Sequence, residues 1–151
     1  MASDAKYGPV DVKTRLSTLW TVVMFNMVFA DILSFITPGV LQEMMTGFAG
    51  DVRLTQGILL VFALLLEIPI AMIFLSRYLG RSANRWANIA ASVITIAFVV
   101  GGGAPYAHYI FFASVEVGCM LCIIWFAWKW PNEAPQPMSA TDRTGRGSCQ
   151  P

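Results

Sequence analysis

Charged residues are scarce in this chain of 151 residues: they make up 13%, whereas hydrophobic residues make up 56%. Typical soluble domains carry about 25% charged residues, so the composition excludes an ordinary soluble domain. The ten lysines and arginines are scattered along the chain instead of forming a basic patch. We therefore expect no nucleic acid among its partners.

Residues that build most metal and redox sites are also few. The chain has one histidine and three cysteines, and it has no P-loop, dinucleotide-binding glycine motif or catalytic Ser-His-Asp arrangement. We therefore expect no metal and no cofactor. Cys119 and Cys122 form a CxxC pair, but they lie in an apolar run. Segments 37–56 and 101–105, which we expect to face outward, contain no cysteine that could exchange a disulfide with this pair. Packing is a better interpretation of this pair than redox catalysis.

Four long apolar runs together cover more than half of the chain. Each is close to the roughly 20 residues that a helix needs to cross a hydrocarbon core about 30 Å thick. The runs occupy residues 16–36, 57–75, 87–103 and 106–128. The sequence therefore predicts an all-α fold, a four-helix transmembrane bundle in up-down-up-down order over residues 16–130.

Polar segments flank the predicted bundle at both ends. Residues 1–15 are polar, and residues 131–151 contain several prolines and few apolar residues, so we expect both segments to be disordered. Nine of the ten basic residues precede the first run, lie between the second and third runs or follow the fourth run. The positive-inside rule then predicts cytoplasmic termini and a multi-pass protein, in the plasma membrane if the source is bacterial.

The connection between the first two runs carries one short amphipathic pattern. In residues 39–49, Val40, Met44, Gly47 and Phe48 fall on one face of a helix. The pattern predicts an interfacial helix that rests on the outer leaflet. The alternative is a lid over the bundle.

Three acidic residues, Asp31, Glu67 and Glu116, lie inside the apolar runs, where no lysine or arginine accompanies them. A charged side chain at a helix centre costs roughly 2.5–3.5 kcal/mol during insertion, so a functional role would account for their presence. We predict that the three carboxyls meet in one interior pocket as catalytic residues. We also predict that at least one is protonated at neutral pH, because desolvation and mutual repulsion disfavour the charged form.

Other polar residues in the runs have the spacing of a shared interior face. Asn88, Ser92 and Thr95 follow one another at one-turn intervals in the third run. The residues that we predict to contact substrate are Asn26, Asn88, Ser92, Thr95, His108 and Tyr109. The alternative is that these groups only join helices, at about 0.6 kcal/mol each on average.

Four stretches, FNMVFADILSFITPG, LLLEIPIAMIFLSR, ANRWANI and HYIFFASVEVGCM, resemble a group of small bacterial four-span membrane proteins described only as a domain of unknown function. The resemblance covers about residues 16–130. It implies the four-helix architecture and no activity. The positions it includes in its pattern are Asp31, Glu67, Arg85, Asn88, His108 and Glu116.

The intramembrane carboxyls are consistent with two active functions. The first is acid/base catalysis, such as isomerisation, cyclisation or epoxide opening, on a lipophilic substrate that enters from the bilayer. The second is a proton-coupled carrier of a small cationic substrate that acts as a homodimer, because four helices alone leave little room for alternating access. A membrane assembly subunit without a substrate is the third possibility.

Overall fold

The computed structural model describes residues 11–103 and 106–130, and these residues form four long α-helices, one short helix and one small hairpin. The elements in chain order are α1 (Val12–Ile36), α2 (Val40–Met45), β1 (Phe48–Ala49), β2 (Val52–Arg53), α3 (Gln56–Tyr78), α4 (Arg81–Gly101) and α5 (Ala107–Trp128). Helices α1, α3, α4 and α5 are each long and apolar enough to cross a membrane. The predicted all-α architecture with four spans is confirmed. The predicted disorder is wrong for residues 12–15, which form the start of α1, while residues 1–10 and 131–151 lie outside the described residues.

Helix ends differ from the ends of the apolar runs. Helix α1 begins at Val12 rather than residue 16, and α4 begins at Arg81 rather than residue 87. Hydrophobicity marks only the part of a helix that lies in hydrocarbon, and polar residues extend the same helix beyond it. At the start of α3, the Thr55 hydroxyl accepts a hydrogen bond from the Ile58 amide at 3.3 Å, as an N-cap does.

The four long helices form a ring in which α1 and α4 each contact both α3 and α5. Neighbouring helices are antiparallel, since the start of one meets the end of the next. The Ser17 hydroxyl of α1 donates to the Ile73 carbonyl of α3 at 2.8 Å. The Tyr109 hydroxyl of α5 donates to the Val99 carbonyl of α4 at 2.9 Å.

The bundle therefore has two chemically different ends. The basic end holds the starts of α1 and α4 and the ends of α3 and α5, with Arg15, Arg77, Arg81, Arg85 and Lys129. The loop end holds α2, the hairpin and the start of α5. The cytoplasmic position of the basic end stays a prediction.

A buried polar network joins three helices in the half of the bundle nearer the basic end. The Asn88 Oδ1 atom accepts hydrogen bonds from the Trp20 indole of α1 at 2.7 Å and from the Ser76 hydroxyl of α3 at 3.2 Å. Its Nδ2 atom donates to the Asn84 backbone carbonyl at 2.8 Å and to the Asn84 side chain. An amide has two acceptor sites and two donor protons, so Asn88 is fully satisfied.

Asn84 completes this network at its outer edge. Its side-chain amide donates to the Ser76 backbone carbonyl at 2.6 Å, and both residues are fully buried. Apolar side chains surround the network, so water does not compete for these hydrogen bonds. The largest of the apolar neighbours are Leu16, Val23, Met72, Met120 and Ile123.

Replacing Asn88 with alanine should lower the free energy of unfolding by about 2 kcal/mol, because the Trp20 indole and the Ser76 hydroxyl would lose a buried acceptor. Unfolding in mixed micelles of increasing SDS content, followed by far-UV circular dichroism, measures this change. Asn26→Ala is the matched control, since the Asn26 amide donates to the Val22 carbonyl of its own helix. Equal losses in the two variants would contradict the role of Asn88.

Candidate functional site

The connection between α1 and α3 folds into a short helix and a hairpin at the loop end. Helix α2 has six residues rather than the predicted 39–49, because Gly47, at φ 87°, turns the chain into β1. Gly50, at φ 57°, and Asp51 form the two-residue turn of the hairpin, in which Ala49 pairs with Val52. Glycine favours the positive φ that such turns require, so the Gly50-Asp51 pair was a sequence signal for this hairpin.

Glu43 ties α2 to the hairpin. Its carboxylate accepts a hydrogen bond from the Gly50 amide at 2.8 Å, across seven residues of chain. The prediction did not include Glu43, because Glu43 lies off the apolar face of residues 39–49 and outside the apolar runs. The hydrogen bond therefore links the hairpin to α2.

An acidic cavity of about 610 Å³ lies between this connection and the loop ends of α1, α4 and α5. Its size is within the roughly 300–1,000 Å³ of small-molecule sites. Three of the side chains that line it are carboxylates, and none is lysine or arginine. The polar lining residues are Asp31, Ser34, Glu43, Asp51, Tyr106 and Tyr109. Because α2 contributes lining residues, its position favours the lid interpretation.

An apolar groove on the outer surface of α4 and α5 meets this acidic cavity. The groove has a volume of about 680 Å³ and opens to the side of the bundle, where lipid lies in a membrane. Gly103 and Tyr109 line both the groove and the acidic cavity. The groove continues along α5 past Ala113 to Gly118 and Leu121. The two spaces together suit a molecule with an apolar tail and a polar or cationic end.

Glu116 is the one buried carboxyl among residues 11–103 and 106–130, with 3% of its surface exposed. It lies two turns along α5 from Tyr109, a rise of roughly 10 Å toward the middle of the bundle. The Glu116 Oε1 atom and the Ser92 hydroxyl of α4 are buried without a hydrogen-bond partner among the described residues. The Arg85 Nε atom, at the basic end, is the third such atom. Buried polar atoms are nearly always paired, so Glu116 and Ser92 are candidates for binding a polar group.

Asp31 is the acid that opens onto the cavity. It lies in α1, near the loop end, and lines the cavity together with Tyr109. Asp31 is exposed on the side of this cavity, whereas Glu116 is buried in the interior of the bundle. Glu116 is not among the residues that line the cavity, so the prediction that the three carboxyls meet in one pocket is not confirmed.

The prediction that Glu67 shares this interior is wrong. Glu67 is exposed, whereas Pro69, Met72 and Ser76 are the buried residues of α3. Successive residues of a helix are about 100° apart, which places Glu67 on the side opposite the centre of that buried face. Helix α3 is apolar on all sides, so the sequence did not show which face would turn inward.

The predicted substrate-contact residues divide into two groups. Tyr109 lines the cavity, and His108 lies next to it, with its Nε2 atom 3.5 Å from the Ser34 hydroxyl. Ser92 is buried with a free hydroxyl beside the interior that holds Glu116. The other three, Asn26, Asn88 and Thr95, use their side chains in hydrogen bonds within the bundle.

Arg85 does not reach the acidic cavity. Its guanidinium group lies over the Trp128 ring, 4.7 Å from the ring centre, at the basic end. Lys129 lies over the Trp125 ring at 4.1 Å in the same way. These cation–π contacts hold α4 and α5 at the end opposite the cavity.

The fold and the site together define a membrane protein with four spans and an acidic cavity at the loop end of the bundle. The chain belongs to a family of unknown function, DUF6326, which matches residues 10–136. This confirms the resemblance of the four quoted stretches to an uncharacterised family. No curated protein and no solved structure matches the chain.

Replacing Glu43 with alanine should speed hydrogen exchange at the Gly50 amide about fivefold, because a hydrogen bond worth about 1 kcal/mol at the surface is lost. Hydrogen–deuterium exchange of the hairpin, followed by mass spectrometry, measures this rate. Gln42→Ala, one residue earlier on the exposed surface of α2, is the control. An unchanged rate in Glu43→Ala would show that the hairpin holds its position without this bond.

Proposed function

We propose that this membrane protein is an acid/base catalyst for a lipophilic substrate that carries, or acquires, a positive charge. The observation that supports this most directly is the junction of the apolar groove with the acidic cavity at Gly103 and Tyr109. A substrate tail in the groove places its reacting end among the carboxylates. Isomerisation and cyclisation are the reactions that fit best, because both are redox-neutral proton transfers.

Electrostatics favour a cationic species in the cavity. Asp31, Glu43 and Asp51 line it, and no basic side chain balances them. Carboxylates that line one cavity repel one another, and a bound cation relieves that repulsion. The same negative charges would stabilise a carbocation that forms during reaction.

Glu116 and Asp31 are suited to opposite proton-transfer roles. A carboxyl that is shielded from water is most stable with its proton, which suits Glu116 as the acid. Asp31 opens onto the cavity and suits the role of the ionised base. In this scheme Glu116 gives its proton to a substrate double bond, and Asp31 removes a proton from the resulting cation. Enzymes commonly give two carboxyls opposite roles, one as acid and one as base, by placing them in different environments.

A proton-coupled carrier built from two chains is the second candidate. The buried Asn88 network joins α1, α3 and α4 in the half of the bundle nearer the basic end, and the cavity lies at the other end, so we expect a carrier to need two chains. The outward position of Glu67 favours this candidate, because it puts a second ionisable group on the outer surface of the bundle. Proteoliposomes separate the two candidates: a carrier moves protons when a substrate gradient is imposed, and a catalyst does not.

Radiolabelled dodecyltrimethylammonium, which joins an apolar tail to a fixed cation, should bind the protein in lipid nanodiscs above the level of empty nanodiscs. Asp31→Asn should weaken this binding about tenfold, since one carboxylate near a cation contributes at least about 1.4 kcal/mol at short range. Glu116→Gln exchanges one neutral side chain for another and should leave the affinity within about threefold of the wild type. Asp11→Asn removes a carboxylate of the same size at the basic end and should leave the affinity unchanged.

Gly118→Leu tests the groove separately from the cavity. A Cβ atom added at Gly118 would meet no other atom within 4 Å, and Gly118 lines the groove, so we expect leucine to occupy the groove rather than the core. We expect it to weaken dodecyltrimethylammonium binding while thermal stability is kept. Equal affinity in the wild type, Asp31→Asn and Gly118→Leu would refute the proposed site.

A further inference from the structure

Glu67 occupies an unusual position for an acidic residue in a membrane protein. It is the midpoint residue of α3, so it lies near the centre of the bilayer when α3 spans it. It is exposed on the surface of the single chain, and its face of α3 is opposite buried Pro69, Met72 and Ser76. The acidic cavity does not include it.

Ionisable residues in membrane spans almost always face protein or a water-filled cavity, and they pair with one another or with backbone groups. A carboxyl that points from the middle of a span into lipid has none of these partners. Among the described residues, every lysine and arginine lies near a helix end or in the loop between α1 and α3, so no base of this chain is at the depth of Glu67. The carboxyl therefore needs a partner that supplies either a proton or a hydrogen bond at the membrane centre.

We propose that a second copy of the chain covers the outward face of α3, and that the two Glu67 carboxyls meet and hydrogen-bond to each other. Copies inserted in the same direction place identical residues at the same depth. A two-fold axis along the membrane normal then brings Glu67 of each copy to the same point of a self-complementary interface. Carboxyl groups that carry their protons donate and accept O–H···O hydrogen bonds between themselves, which requires no basic residue and leaves no charge at the membrane centre.

The shape of the α3 face supports close contact at this point. Ala63 and Ala71 lie one turn before and one turn after Glu67 on the same face, and both are exposed. Small residues at such spacing let two membrane helices approach closely, which a carboxyl pair requires. Leu60 and Phe74, exposed by 62% and 59%, extend the same face on either side.

The positions of the acidic residues favour α3 over the other helices as the interface between two copies of the chain. Asp31 of α1 lines the cavity, and Glu116 of α5 is buried, so neither supplies an outward carboxyl at the membrane centre. Helix α4 contains no acidic residue. The proposal concerns the contact between chains and holds whether or not the cavity is catalytic.

Cysteine cross-linking of the full chain in liposomes tests the geometry. With Cys119, Cys122 and Cys149 replaced by serine, Ala71→Cys should give a cross-linked dimer on mild oxidation. Val93→Cys is the matched control, because Val93 is 55% exposed near the middle of α4, on a different outer surface. Cross-linking at Val93 as efficient as at Ala71, or none at Ala71, would overturn the proposed interface.

Energy transfer between donor-labelled and acceptor-labelled chains, measured as lipid is added, tests the carboxyl pair. Glu67→Leu should weaken dimerisation about tenfold, whereas Glu67→Gln, which still forms side-chain hydrogen bonds, should stay within about threefold of the wild type. Because Glu67 makes no part of the buried core, Glu67→Leu should keep its helical circular dichroism. A wild-type chain that stays monomeric, or a Glu67→Leu chain that dimerises equally well, would refute the proposal.

Discussion

The hydrogen-bonded side chain of Asn88 is the constraint on which the rest of this bundle depends. Apolar helices in lipid gain little from burying apolar surface, so packing and polar contacts decide how they associate. The Asn88 amide uses all four of its hydrogen-bonding positions, and its partners come from α1, α3 and α4. Hydrogen bonds are directional, so these bonds constrain the rotation and the depth of the three helices relative to one another. The position of every other polar side chain follows from this alignment.

The alignment also accounts for the difference between the two ends of the bundle. At the basic end, the Asn88 side chain is fully hydrogen-bonded, and Arg85 stacks on Trp128 with its Nε atom buried and without a hydrogen-bond partner among the described residues. Toward the loop end, the Glu116 carboxyl oxygen and the Ser92 hydroxyl also have no partner among the described residues, and a cavity opens beyond them. Proteins break the rule of satisfied polar groups mainly at functional sites. The cavity, rather than the unpaired atoms alone, therefore distinguishes the loop end as the candidate site.

The sequence predicted the four helices because a run of about twenty apolar residues is typical of a helix that crosses a membrane and is rare elsewhere. The sequence was less informative about which face of each helix is buried. In α4, Asn84, Asn88, Ser92 and Thr95 contrast with apolar neighbours, and all four are buried. In α3 almost every residue is apolar, so periodicity gave no direction, and Glu67 was wrongly assigned to the interior. Asn84 was missed for a different reason: it lies before residue 87, where the apolar run begins, although its spacing from Asn88 is that of one helical turn.

Glu67 and Glu116 show that depth in a membrane and direction around a helix are independent properties. Both lie near the middle of their helices, yet Glu116 faces inward from α5 and Glu67 faces outward from α3. In the ring of four helices, α3 and α5 are opposite one another, so the two acids cannot act on the same small molecule. An inward acid suits chemistry within one chain, and an outward acid suits contact between chains. The groove lies on α4 and α5, so a second copy packed on α3 leaves the path from the bilayer to the cavity open.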